Sequence, residues 1–189
     1  MLITQVTERF YRLDNIFSNT LFQELASVFD RDKTNWLSQP DGLSDFPRLQ
    51  FRPEESAETN LLYTQLCNKI KIELQPVIEL AESATGTKLY QNSPQLWYDP
   101  DGYINTIHDG DISPNHHVNV QVYLAEGAEN MGTYCYDEDA WHTLPYRPNC
   151  GYMLLYPTRT PHGMKDYVTD KRLSLYQGFR GTEVPSDIW

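Results

Sequence analysis

Cysteine is scarce in this sequence: Cys67, Cys135 and Cys150 are the three in 189 residues, and none lies in CxxC spacing. That excludes a disulfide framework, and an odd count with wide separation fits reduced thiols in a cytosol-like compartment. Cationic residues are also in deficit. Lys and Arg number 15 against 26 Asp and Glu, giving a formal net charge of −11 and a pI near 4.8. A strongly acidic chain argues against a large nucleic-acid face, which needs clustered Lys and Arg. The charge is read as a solubility feature. Long apolar runs are missing, since no stretch approaches the roughly 18 apolar residues of a membrane span. The opening MLITQVTERFYRLDN lacks a basic segment followed by an apolar run, so no signal peptide is expected. The expectation is a soluble, cytoplasmic protein with neither nucleic acid nor membrane as partner. No nucleophile elbow, internal repeat or low-complexity segment occurs.

What is present is ordinary globular composition, 40% hydrophobic and 22% charged, with 13 Tyr residues suited to half-polar pocket walls. The length suits a single domain able to bury a core. Residues 1–89 read as mainly helical support, 90–181 as a β core and 182–189 as a tail. In 18–30, Leu21, Phe22, Leu25, Val28 and Phe29 have helical spacing, with Ser18 as cap and Phe17 and Phe22 placed as a hydrophobic staple. A second helical segment runs over 56–83 with a stripe of Leu62, Leu66, Ile70, Leu74, Val77 and Leu80. Pro76 should kink or split it, and Gly86 should end it. FPRLQF (46–51) reads as a short strand and 33–45 as loop. After residue 90 the period changes. PQLWYD, HHVNVQVYL, GTYCYD, GYMLLYP and RLSLYQGF are short strand-like runs separated by Pro, Gly, Asn and Asp clusters. Helices followed by many short strands predict an α+β domain built on a sandwich or barrel.

Histidine is rare, with five in the chain: His108, His116, His117, His142 and His162. His108 ends the run GYINTIH and is followed at once by the acids of DGD; His162 follows the turn PTRTP. Two imidazoles on neighbouring strands with one carboxylate form the facial triad that suits Fe(II) and leaves positions open for a cosubstrate and O₂. No Cys is placed to compete. Arg172 and Ser174 share a strand face in KRLSLYQGF. A guanidinium can clamp a carboxylate bidentately and a hydroxyl can add a hydrogen bond. A charged Arg inside an apolar run needs a partner, which a dicarboxylate cosubstrate would supply. In VNVQVYL, alternation puts Asn119, Gln121 and Tyr123 on one face and Val118, Val120, Val122 and Leu124 on the other. The polar face suits a ligand pocket; the alternative leaves it in solvent.

The order LWYDPDGYINTIH, VNVQVYL, MGTYCY, PYRPNCGYMLLYPTRTPHGM and RLSLYQGF resembles the 2-oxoglutarate- and Fe(II)-dependent oxygenases, in the small prolyl-hydroxylase-like branch with phage and marine bacterial members. The resemblance covers roughly residues 90–181. It implies a double-stranded β-helix, or jelly roll, with supporting N-terminal helices. It also implies His108 and His162 as iron ligands, and Arg172, Ser174 and Tyr123 around the distal carboxylate of 2-oxoglutarate. The implied reaction is hydroxylation of a C–H bond.

One position departs from the family's His-x-Asp. The sequence reads His108-Asp109-Gly110-Asp111, with Gly where the carboxylate belongs. A one-residue bulge can bring Asp111 into the ligand position, since bulges occur at barrel rims and active sites. Asp109 is a second candidate. A site without a protein carboxylate is the third, resembling the iron halogenases of the superfamily or an inactive barrel that serves as a binding module. A cupin-type metalloenzyme is a further alternative, though it leaves the Arg172–Ser174 pair unexplained. His116 and His117 read as loop residues, His142 as a solvent residue, and DEDAWH and the remaining acids as solvated surface. Trp97, Tyr98, Tyr134 and Trp141 suit either a cavity wall or core packing. The substrate is a small molecule or a protein side chain, selected by loops near 30–55 and 126–147.

Overall fold

The first helix starts where its capping residue predicts. Ser18 accepts the amide of Leu21 on its Oγ, and α1 spans Asn19–Val28 with Leu21 and Leu25 buried. Phe17 and Phe22 pack into the same core, as a staple requires. The computed structural model describes residues 1–28, 36–39, 47–51, 57–109, 116–156 and 159–181. The second helical segment is split at Leu74 into α2 (Ala57–Glu73) and α3 (Gln75–Thr85). Pro76 lies in the first turn of α3, where its missing N–H costs nothing. Gly86 closes α3 at φ 65°, the left-handed conformation that glycine adopts without penalty. The expected stripe is corrected at one end: Leu62 is exposed, whereas Leu66, Ile70, Leu74 and Val77 are buried together with Ile78 and Ala81.

Twelve strands are formed by the described residues: β1 (Leu2–Gln5), β2 (Phe10–Asp14), β3 (Trp36–Gln39), β4 (Arg48–Phe51), β5 (Leu89–Gln91), β6 (Gln95–Pro100), β7 (His116–Tyr123), β8 (Thr133–Asp137), β9 (Ala140–Leu144), β10 (Cys150–Leu155), β11 (His162–Gly163) and β12 (Lys171–Gly181). Their order in the larger sheet is β1-β2-β10-β7-β12-β6-β4-β3, with β5 also beside β12; the smaller sheet is β11-β8-β9. The strands pair antiparallel throughout. Two readings from sequence change here. Residues 1–14 form a hairpin that extends the larger sheet through β10, and residues 36–39, expected as loop, pair with β4. The first half is therefore less helical than its pattern implies, because a strand held by tertiary pairing needs little propensity of its own. GYINTIH is not a strand either; of that run only His108 makes a bridge, to His162.

Alternation along the central strands separates two cores. Val118, Val120, Val122 and Leu124 join Leu173, Leu175, Met153 and the buried faces of the helices in one apolar cluster. Tyr123, Leu154, Phe10, Met131, Cys135, Leu144 and Tyr146 form a second cluster that includes residues of both sheets. The larger sheet is thus covered on one face by helices and on the other by the smaller sheet, the layering of an α+β jelly roll.

Candidate active site

The site face of the larger sheet carries polar side chains that are nonetheless buried. Asn119 and Gln121 are withdrawn from solvent, which rules out the reading that left this face in water. Each finds a partner on β12: Tyr176 Oη donates to Asn119 Oδ1 at 2.6 Å, and Gln121 Nε2 donates to Ser174 Oγ at 3.1 Å. Buried polar groups persist only when hydrogen-bonded in this way.

His162 begins β11, and its backbone bridges His108 through two hydrogen bonds of 2.8 and 2.9 Å. The ring centroids lie 4.7 Å apart with planes inclined by 47°. Each Nδ1 lies 2.7 Å from the carbonyl oxygen two residues earlier, Thr106 for His108 and Thr160 for His162. A carbonyl only accepts, so each Nδ1 carries a proton and Nε2 is the nitrogen whose lone pair a metal would take. That is the orientation in which protein imidazoles bind metals.

The third ligand is a different matter. Asp111 and Gly110 lie outside the described residues. Asp109 is exposed, and among the described residues no group of three His, Cys, Asp or Glu side chains forms around the pair. Among the described residues no Cys joins the pair in such a group, although one is a register neighbour. Cys135 sits directly across from His162 in the β11–β8 ladder, and His142 across from Cys135 on β9. Burial, aided by the charge of Asp137, pushes the Cys135 thiol up to about 12. It is therefore held as a thiol at neutral pH.

Arg172 lies on the site face as expected and is 2% exposed. Its partner, however, is a residue of the chain. Nη1 donates to Asp99 Oδ2 at 2.7 Å, Nε to the carbonyl of Met131 at 2.9 Å, and Nη2 to Gln121 Oε1 at 3.3 Å. Asp99 is 0% exposed and also accepts Arg48 Nε and Nη2 at 2.9 and 3.1 Å. The expectation that the remaining acids are solvated is corrected at Asp99, which register places opposite Arg172. Its signal was an acid two residues beyond Trp97 in an otherwise strand-like run. Ser174 accepts from Gln121 and keeps its own proton to donate. Tyr123 Oη donates to Thr133 Oγ1 and accepts the Thr133 amide, both at 2.8 Å, so its one proton is already used.

The remaining candidates disperse. His117 is a buried strand residue rather than a loop residue, and His116 is also in β7. His142 lies on β9, half-buried, with Nε2 3.1 Å from the Asp137 carbonyl. Trp97 is on the site face beneath the Arg48 guanidinium, whereas Tyr98 packs towards the helices. Tyr134 and Trp141 stack on each other at 4.5 Å on the β8–β9 hairpin. Of the two loops expected to select substrate, most of 30–55 lies outside the described residues, and 126–147 contains β8, β9 and a 3-10 turn at Glu129–Met131.

No family model and no curated protein matches this sequence. Solved structures do match. A prolyl-4-hydroxylase from Pseudomonas putida superposes with a TM-score of 0.63 at 15% identity, over 94% of this chain and 95% of that one. A prolyl hydroxylase from Trichoplax adhaerens, in complex with a hypoxia inducible factor peptide fragment, gives 0.66 at 11% identity over 93% and 84%. HygX from Streptomyces hygroscopicus, with nickel, 2-oxoglutarate and hygromycin B bound, gives 0.65 at 14% identity over 92% and 83%. The buried polar face, the paired imidazoles and these superpositions together show that the chain has the double-stranded β-helix fold of the 2-oxoglutarate-dependent oxygenases.

Proposed function

We propose that this chain is a 2-oxoglutarate- and Fe(II)-dependent oxygenase that hydroxylates a small molecule or a protein side chain. The observation that carries the reading is the His108–His162 pair, two imidazoles joined by a backbone bridge with both Nδ1 protons tied to carbonyls. A donor set of neutral nitrogens suits Fe(II), and Asp111 is the carboxylate that would complete it. When bound, the iron and 2-oxoglutarate supply oxidation of a C–H bond by O₂, with 2-oxoglutarate converted to succinate and CO₂.

The chain's own residues hold and orient. Thr106 and Thr160 lend the carbonyls that fix each imidazole's tautomer. Arg172 and Ser174 would receive the distal carboxylate of 2-oxoglutarate, Arg172 by charge and Ser174 through its hydroxyl proton. Gln121 links the two, accepting from Arg172 and donating to Ser174, so that both are aimed before any ligand arrives. Tyr123 supports this site through its ring, which lies 5.3 Å from the Arg172 guanidinium, with its hydroxyl held on Thr133.

Succinate formed from 2-oxoglutarate in the presence of Fe(II) and O₂ tests the reading. Wild-type protein is expected to form succinate, and His162→Ala to form none above the metal-free background. Equal turnover by the variant would overturn the metal assignment. A barrel that only binds would form no succinate in either case.

A further inference from the structure

Two buried charges and a half-buried one meet on the site face, and their sum differs from zero. Arg172 and Asp99 face each other across β12 and β6, joined by a 2.7 Å contact, with side chains 2% and 0% exposed. Alone, that pair is neutral. An incoming carboxylate would find the guanidinium already compensated and would compete with Asp99 for its N–H groups. Arg48 changes the balance. It reaches Asp99 from β4 with two N–H groups, and its side chain is 14% exposed. Its guanidinium lies 4.2 Å above the Trp97 ring and 5.1 Å from that of Tyr103, which fixes its plane. Among the described residues, Asp99 is the carboxylate paired with either guanidinium. The nearby phenols do not supply a compensating charge: burial raises Tyr123, and Tyr146 is pushed up to about 12, so both stay neutral.

We propose that Arg48 is a positioning residue of the cosubstrate site: by sharing the Asp99 carboxylate it leaves Arg172 with the surplus positive charge that receives the distal carboxylate of 2-oxoglutarate. The inference rests on the oxygenase reading above and extends it to a residue of the N-terminal half that touches no ligand itself. In this arrangement Asp99 anchors two cations, and one net charge remains for the ligand.

The test is calorimetric titration of 2-oxoglutarate into Mn(II)-loaded protein. Arg48→Gln brings the cluster to zero charge and should raise Kd by about tenfold to a hundredfold, the effect of one unit charge acting through a protein medium. Arg48→Gln combined with Asp99→Asn restores a net positive charge and should recover most of that loss. Arg48→Lys keeps the charge without the fork and should stay within about threefold of wild type, since charge rather than bidentate geometry is what the ligand feels. A thermal melt of each variant reports folding, and Arg48→Lys carries the test if Arg48→Gln does not fold. Wild-type affinity in Arg48→Gln, weaker binding in the double variant than in Arg48→Gln, or a loss of more than about tenfold in Arg48→Lys would each overturn the proposal. If wild type binds 2-oxoglutarate and the variant series is flat, the oxygenase reading stands and this inference alone falls. If wild type does not bind it, both fall.

Discussion

His108 and His162 are joined twice, by a backbone bridge and by the approach of their rings to 4.7 Å between centroids. The bridge matters because it fixes both Cα positions, and the Nδ1 contacts at 2.7 Å then fix both ring orientations. Little freedom is left to be lost when a cation binds, the condition for a preorganised site.

Removing either imidazole should therefore act on the metal rather than on the fold. His108→Ala is expected to weaken Mn(II) binding by at least about a hundredfold, beyond the ten- to hundredfold typical of losing a supporting partner. His108 is only partly buried, so the melting temperature should move little. Metal titration followed by calorimetry reads the first effect and a thermal melt the second.

Gly163 controls the approach of the two histidines. A Cβ there would lie 2.8 Å from Asn105 O, Thr106 C and Ile107 Cα, all backbone atoms of the segment leading to His108. That segment is held by the Met164 amide on the Asn105 carbonyl at 2.7 Å. Gly163→Ala is expected to cost about 1–3 kcal/mol by overpacking and to spread the histidine pair. A urea titration combined with Mn(II) affinity checks both, and stability and affinity should fall together.

Arg172→Met removes the inner cation but leaves Asp99 held by Arg48. It also orphans the Met131 carbonyl and leaves Gln121 Oε1 with the 3.5 Å contact from Thr133 Oγ1. A loss of about 2–4 kcal/mol is expected, the range for breaking a buried charge pair when one further partner remains. The urea midpoint should drop without a change in slope, and 2-oxoglutarate binding should be lost.

Alkaline pH should destabilise the fold through its buried phenols. Burial holds Tyr146 up to about 12 from its ordinary 10.0, and raises Tyr152 and Tyr123 as well. Between these limits the native state keeps a proton that the unfolded chain has released. The Tyr146 contribution, on the order of 2 kcal/mol, is therefore complete below pH 10 and is lost as pH rises towards 12, and Tyr152 and Tyr123 act in the same direction. Denaturant midpoints measured from pH 8 to 11 should fall above pH 10, and Tyr146→Phe should reduce the slope.

The helices, their break before Pro76 and their end at Gly86 could be read from residue order, because periodicity and capping are local properties of the chain. So could the β-rich half and the polar stripe of Asn119, Gln121 and Tyr123, while the meeting of His108 with His162 follows from the family resemblance. Pairing across distance could not. The hairpin of residues 1–14, the strand at 36–39, and the placement of Cys135 beside His162 all arise from register between segments remote in sequence. The same holds for the partner of Arg172. Composition shows that a buried guanidinium needs an anion, but only the alignment of β12 with β6, and of β4 beside it, selects Asp99 and adds Arg48. Residue type carries the chemistry a side chain can perform; the sum of charge around it depends on which strands meet.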